Sequence, residues 1–172
     1  MNHDTYPDEY IRGVLNEHKT FALVGASANT VRPSYFVLKY LLEKGYTVYP
    51  VNPGMAGREI LGQAVYASLE DIPGPVDVVD IFRNSEAALG ITKEAIAIGA
   101  KAVWMQLSVR NDEAAKLAED AGLKVVMNRC PKIEYARLSG EIGWAGINSR
   151  TISSARPALA KKGIQHRVLR SQ

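Results

Sequence analysis

Five short segments of the sequence contain residue types that bind phosphates: glycine turns, hydroxyl side chains, amides and arginines. Glycine lets main-chain N–H groups approach an anion closely, and an arginine guanidinium forms paired hydrogen bonds with phosphate oxygens. Each segment follows a predicted strand, which is where ligands of open α/β sheets lie, and the first one is the candidate for a phosphate. The five segments are Gly25, Ala26 and Ser27 with Arg32, Pro33 and Ser34; Val51, Asn52 and Pro53; Ile81, Phe82 and Arg83; Met105, Gln106 and Leu107; and Asn128, Arg129, Cys130 and Pro131.

The segment that begins at Gly25 is the natural phosphate site. It follows an apolar run and precedes a helix that begins near Pro33, so the unpaired N–H groups of that helix face the turn. Ser27, Arg32 and Ser34 would add side-chain donors. The glycine pattern of dinucleotide sites is incomplete, because serine and threonine occupy its second and third glycine positions. The alternative is a purely structural turn.

The residues at the end of the second apolar run indicate whether the ligand is NAD or another nucleotide. NAD sites usually place Asp or Glu there, where the carboxylate accepts a hydrogen bond from the adenosine ribose. This chain has Val51, Asn52 and Pro53 instead, which disfavours NAD. Arg58 follows in the loop and either meets a phosphate or is simply exposed.

The single cysteine, Cys130, has two interpretations. Beside Arg129 it could form a mixed disulfide with a ligand thiol, because a neighbouring cation favours the reactive thiolate. The alternative is an inert, buried thiol, which is the commoner state of a free cysteine. A lone cysteine cannot close an intramolecular disulfide, and this favours a reducing compartment such as the cytoplasm.

Several other chemistries lack the residues that they need. The histidines are His3, His18 and His166, so residues 19–165 contain none. No Cys/His cluster has metal-ligand spacing, and neither a Walker loop nor a nucleophile elbow occurs. The carboxylates around the third apolar run are interpreted as structural; they are Asp77, Asp80 and Glu86.

Five apolar runs of strand length alternate with segments of helical periodicity between Thr20 and Asn128. The runs are TFALVGAS, YTVYPV, VDVVDIF, KAVWMQ and LKVVM, and KIEYARL predicts one further short helix. Parallel strands joined by right-handed crossovers predict an α/β fold, a doubly wound five-stranded parallel sheet in three layers with strand order 3-2-1-4-5. The stretch 52–75 predicts a long loop with a short helix at 68–71. Ligands of such sheets lie where the strands end, which is where the five candidate segments fall.

Length and composition predict one soluble domain with a basic tail. Of the 172 residues, 47% are hydrophobic and 23% are charged, as expected for a chain that forms a core. Residues 142–172 contain six basic and no acidic residues, whereas residues 1–141 contain 15 basic and 18 acidic residues. We expect a domain over 8–138 and a tail over 139–172 that is solvated or packs on the domain or a partner subunit; the alternative is a contact with nucleic acid or a membrane surface. No membrane span or signal peptide is predicted.

Four segments together resemble a known family. GASANTVRPS, YPVNPG, DVVDIFRNSE and VMNRCPKIE have the order and spacing of small, stand-alone CoA-binding proteins. The Rossmann-like domain of that family is similar to the N-terminal CoA-binding domain of the succinyl-CoA synthetase alpha subunit. The resemblance covers about residues 8–138 and implies that coenzyme A lies across the ends of the strands.

By this resemblance, each segment contacts a different part of coenzyme A. Gly25, Ala26 and Ser27 with Arg32, Pro33 and Ser34 would hold phosphates, Val51, Asn52 and Pro53 would line the nucleotide side, and Ile81, Phe82 and Arg83 would border adenine or pantetheine. Asn128 and Cys130 follow the last predicted strand, so the rule for open α/β sheets places them at the same crevice. Phe82 either packs on the ligand or completes the core, and Arg83 either binds a phosphate or pairs with Glu86 at a helix start.

The expected function is binding of CoA or an acyl-CoA, without an identifiable catalytic activity. The sequence lacks the second domain and the phosphorylated histidine of the ligase relatives, so thioester synthesis is not implied. Trp144 suggests a subunit contact and hence a homodimer. The alternatives are an NAD(P)-dependent oxidoreductase, a CoA-dependent transferase subunit, and a redox-regulatory or nucleic-acid interaction protein that uses the basic tail.

Overall fold

A computed structural model describes residues 1–141, which include the whole of the predicted domain. Residues 142–172, and with them Trp144 and the basic part of the predicted tail, lie outside the described residues. None of the helices within 1–141 is both long enough and apolar enough to cross a membrane.

The centre of the domain is a parallel sheet of five strands, as the sequence predicts. These are β1 (Thr20–Val24), β2 (Thr47–Val51), β5 (Val78–Ile81), β6 (Ala102–Met105) and β7 (Lys124–Val126). Two short strands, β3 (Glu59–Ile60) and β4 (Gln63–Ala64), form a separate antiparallel hairpin between β2 and β5. The strands of the main sheet are mostly buried because helices cover both of its faces.

The predicted strand order 3-2-1-4-5 is wrong. The order is β2-β1-β5-β6-β7, so the third long strand lies beside β1 and β2 is an edge strand. Pro50 within β2 explains this, since a proline has no N–H for a neighbouring strand and is tolerated only at an edge. The loop 52–75 also covers that edge: Tyr66 donates its main-chain N–H to the Pro50 oxygen (3.0 Å), and its oxygen accepts from Asn52 N (2.9 Å).

Helices form the two outer layers of the predicted three-layer fold. One core cluster joins the sheet to α1 (Asp8–Glu17), α2 (Pro33–Glu43) and α5 (Pro131–Ser139). The second cluster joins the opposite face to α3 (Ser85–Ala97) and α4 (Asp112–Asp120). The helix predicted from KIEYARL is thus confirmed as α5, whereas α1 is not among the helices that the sequence pattern predicts.

The long loop between β2 and β5 is more ordered than its composition predicts. It begins with a single 3₁₀ turn, Pro53–Met55, and continues into the β3–β4 hairpin. The short helix predicted at 68–71 is absent from it. Instead, both the main-chain N–H and the hydroxyl of Ser68 donate to the Asp71 carboxylate, at 3.0 and 2.7 Å, and form a side-chain-closed turn.

Two tyrosine hydroxyls form hydrogen bonds with main-chain groups along the outer edge of β7. Tyr6 accepts from the main-chain N–H of Met127 (2.8 Å), and Tyr10 accepts from that of Val125 (2.9 Å). The Tyr10 hydroxyl also donates to the Val125 oxygen (3.1 Å). An edge strand with free main-chain groups can pair with another chain, so these contacts protect β7 from association.

Candidate functional site

The turn after β1 brings three of the predicted segments together. Gly25 has φ +95°, and its N–H and that of Ala26 both donate to the Val51 oxygen at the end of β2 (2.9 and 3.2 Å). A Cβ atom on Gly25 would lie 3.0 Å from the main-chain oxygen of Phe82, just after β5. Glycine is therefore required here by conformation and by the close approach of two loops.

These contacts also correct one expectation about phosphate binding. The N–H groups of Gly25 and Ala26 already have an acceptor in Val51, so they are not free to bind a phosphate. The two residues instead shape the turn that positions the donors around it. Ser27 retains a hydroxyl proton that can be donated, because its oxygen accepts from Asn29 N (3.1 Å).

Asn52 ties the loop after β2 to the turn after β1. Its side-chain amide donates to the Ala26 oxygen (2.7 Å), and its side-chain oxygen accepts from Gly54 N (2.9 Å), while Pro53 begins the 3₁₀ turn. Val51 is only 3% exposed, so it supports the loop from the core rather than offering a side chain to a ligand.

The first turn of α2 follows the loop of this site, although Pro33 has no N–H and Tyr35 N donates to the Arg32 oxygen (3.0 Å). Arg32 is at the N-cap position but its side chain does not cap the helix, Pro33 occupies the first turn, and Ser34 is buried. The first N–H groups of a helix have no partner within the helix and carry a partial positive charge. An anion placed between the Gly25 turn and α2 would be favoured by this helix end.

Three exposed arginines lie along the loops that follow β1, β2 and β5. None of Arg32, Arg58 and Arg83 forms an ion pair with a residue in the described range 1–141. The arginines Arg110 and Arg137, by contrast, pair with carboxylates. The alternative pairing of Arg83 with Glu86 is therefore not found. The Arg83 Cδ atom lies 3.2 Å from the position of a Cβ on Gly25, so its stem runs along the turn.

In the segment at the end of β5, one residue belongs to the core and its neighbours lie at the exposed edge of the sheet. Ile81 is fully buried and supports the site from within the sheet. Phe82 is partly buried against the core cluster, and its N–H donates to the Val24 oxygen (2.8 Å). Phe82 thus packs in part as a core aromatic, and the rest of its surface is exposed.

At the other end of the edge, Asn128 and Cys130 have structural contacts. Asn128 adopts φ +52°, and its side-chain oxygen accepts from Ser108 N (2.8 Å), which joins the loops after β6 and β7. Cys130 precedes α5 and is 8% exposed. Burial raises the pKa of the Cys130 thiol, against the opposing effect of the Ile133 and Lys132 N–H groups.

The guanidinium of Arg129, which one of the two interpretations pairs with Cys130, contacts other groups. It donates to the main-chain oxygens of Asn128 (2.9 Å) and Asp4 (3.0 Å) and lies 5.5 Å from the centre of the Tyr6 ring. Because the cation is engaged with the N-terminal segment, burial dominates and the thiol remains protonated at neutral pH.

Asp80, which the sequence analysis interprets as structural, and Gln106, which belongs to a candidate segment, are both buried near this edge. Asp80 in β5 is fully buried, and both of its oxygens accept from the side-chain amide of Gln106, at 2.9 and 3.0 Å. Burial raises the pKa of Asp80 to about 8, although the Gln106 hydrogen bonds act against the rise. The carboxyl group is therefore largely protonated at neutral pH, and a strand-length apolar run gave no signal for this.

Known proteins resemble this chain in sequence and in fold. The family model described as "CoA binding domain" matches residues 19–136. The uncharacterized protein YneT of Bacillus subtilis is 36% identical over 126 residues, which are 73% of this chain and 92% of that protein. A hypothetical protein from Pyrococcus horikoshii, of known structure, is 46% identical with a TM-score of 0.75, and the match covers 80% of this chain and 96% of that one.

A larger protein also contains a similar segment. The alpha subunit of an ADP-forming acetate–CoA ligase from Pyrococcus furiosus is 35% identical over 89 residues, which are 49% of this chain but only 19% of that subunit. The similarity to this ligase is therefore confined to a small part of its length.

Proposed function

This chain belongs to the CoA-binding domain family, and from that premise we propose that it binds coenzyme A or an acyl-CoA where the sheet strands end. The phosphates would lie between the Gly25 turn and the first turn of α2. The adenosine would lie over the loop after β2, and the pantetheine arm would pass Phe82 toward the loops after β6 and β7.

The observation that carries this proposal is the set of exposed, unpaired arginines in the described chain at this edge: Arg32, Arg58 and Arg83. Coenzyme A carries a pyrophosphate and a 3′-phosphate, and guanidinium groups are well suited to bind both. Unpaired arginines are ready for an anion because no internal ion pair must first be broken.

The loop after β2 favours CoA over the NAD alternative. A carboxylate that would accept from a free ribose diol is missing at Asn52. The Asn52 amide is moreover engaged by Ala26 and Gly54, so it is not free to replace that carboxylate.

The proposal assigns this chain a binding role and no catalytic step. The lone cysteine of the sequence supports a reducing compartment such as the cytoplasm. A homodimer and a nucleic-acid contact of the tail remain predictions.

Isothermal titration calorimetry tests the proposal directly. We expect CoA and acetyl-CoA to bind the purified protein more tightly than NAD or NADP, and binding to weaken as salt rises because charged contacts contribute. The CoA assignment is wrong if neither CoA nor acetyl-CoA binds, or if NAD binds more tightly than both.

A further inference from the structure

We propose that Arg58 selects ligands that carry a phosphate on the adenosine ribose, and so distinguishes CoA from dephospho-CoA. This inference rests on the proposed function, since it concerns the same ligand. It adds a residue that determines specificity, whereas the turn and the arginines around Gly25 would contact groups that CoA and dephospho-CoA share.

Arg58 lies in the loop that follows β2. In doubly wound sheets the adenosine ribose lies near the end of the second strand, where an acidic residue binds the free hydroxyls and an arginine nearby accommodates a ribose phosphate. Here two successive turns lead from the end of β2 to Arg58. Met55 N donates to the Asn52 oxygen (3.0 Å), and Arg58 N donates to the Met55 oxygen (3.1 Å).

The main chain at Arg58 is held in place from its other side as well. The Arg58 oxygen accepts from Val65 N (2.8 Å), and Gly57 N donates to the Val65 oxygen (3.1 Å). These bonds fix the base of the β3–β4 hairpin against the loop. The side chain thus projects from an ordered main chain, which lowers the entropy cost of using it for recognition.

Basic residues are rare in the part of the sequence that surrounds Arg58. Arg58 is the only lysine or arginine between Lys44 and Arg83 in the sequence, so no other basic residue of this segment can supply a cation at the end of β2. It is exposed and forms no ion pair within residues 1–141, although the acidic Glu59 follows it.

The other two arginines have a different place. Arg83 runs along the Gly25 turn, and Arg32 is the N-cap residue of α2, so both flank the position assigned to the pyrophosphate. Asn52 is neutral and its amide is engaged. Arg58 is therefore the group available for the 3′-phosphate, which dephospho-CoA lacks.

Calorimetric titration of CoA and dephospho-CoA against the wild type, Arg58→Ala and Arg58→Lys tests this. We expect the wild type to prefer CoA by about tenfold or more, since a charge-assisted hydrogen bond contributes roughly that ratio. Arg58→Ala should lose the preference by weakening CoA alone, and Arg58→Lys should retain part of it. The matched control Arg83→Ala should weaken both ligands by the same factor.

The outcomes separate this inference from the proposed function. If the wild type binds neither of these ligands nor acetyl-CoA, the proposed function fails and the inference fails with it. If the wild type binds both ligands equally, or if Arg58→Ala keeps the preference for CoA, the role of Arg58 is wrong while CoA binding stands. Because Arg58 is exposed, its replacement should leave the melting temperature unchanged, which a thermal scan verifies.

Discussion

The side-chain amide of Asn52 donates a 2.7 Å hydrogen bond to the main-chain oxygen of Ala26. This bond joins the loop after β2 to the turn after β1. The same turn is also held by hydrogen bonds from its main-chain N–H groups to the Val51 oxygen. A single asparagine thus connects the part of the site assigned to phosphates with the part assigned to the adenosine.

Replacing Asn52 by alanine should loosen this connection. The Ala26 oxygen and Gly54 N–H would lose partners, so we expect the free energy of unfolding to fall by about 1 to 3 kcal/mol and CoA affinity to fall as well. Urea denaturation and calorimetry measure the two effects. Asn2→Ala, at an exposed asparagine of the N-terminal segment, should change neither. Unchanged stability of Asn52→Ala would mean that the bond contributes nothing.

Replacing Gly25 by alanine should destabilise the fold strongly. The φ of +95° strains any side chain, and the new Cβ would press on the Phe82 oxygen at 3.0 Å, so a loss of about 2 to 5 kcal/mol is expected. Gly45→Ala is the matched control, since its φ is +83° and nothing lies within 4 Å of its Cβ position. If both variants lose equal stability in urea, the contact with Phe82 is unimportant.

Replacing Arg32 by alanine should weaken CoA binding without unfolding the protein. Removal of an exposed, unpaired cation at the start of α2 should raise the dissociation constant about tenfold and reduce its dependence on salt. Arg12→Ala, at an arginine of α1, serves as the control that lowers the net charge equally. Equal losses in the two variants would indicate a general charge effect rather than a phosphate contact.

The stability of the protein should depend on the protonation of Asp80. Its folded pKa of about 8 lies above the ordinary value of 3.8, so between these values the unfolded chain releases a proton that the folded chain keeps. The free energy of unfolding should therefore fall with rising pH across this window, by up to about 1.4 kcal/mol per pH unit from this residue.

Asp80→Asn should remove the pH dependence that Asp80 contributes. The free energy of unfolding of the variant, relative to that of the wild type, should therefore rise between pH 5 and pH 8. Denaturation curves at several pH values test this, with Asp120→Asn at an exposed position as the control. A constant difference between wild type and Asp80→Asn over this range would contradict a raised pKa.

The Cys130 thiol should react slowly in the folded protein. It is 8% exposed and burial raises its pKa, so a disulfide reagent at pH 7.5 should modify it much faster after unfolding in urea. Mass spectrometry after treatment with CoA disulfide should find no adduct in the native state. A rapid native adduct at Cys130 would restore the redox hypothesis.

Local patterns in the sequence predicted the strands of the main sheet and several residues of the candidate site. Apolar runs of strand length predicted five strands, and Gly25, Asn52 and Arg83 were recognised because they follow those runs. Such features depend on residues close together in the chain, where side-chain periodicity and turn chemistry act. The family resemblance added coenzyme A as the expected ligand, since four motifs in register are more specific than any one of them.

Only the tertiary structure decided which strands are neighbours and which polar groups are free. Pairing of β1 with β5 brings together residues that are far apart in the chain, although Pro50 was a local sign that β2 lies at an edge. The engagement of the Gly25 and Ala26 N–H groups by Val51, and the burial of Asp80, likewise depend on distant loops and strands. Long-range contacts of this kind follow from how the elements pack, which short-range patterns do not contain.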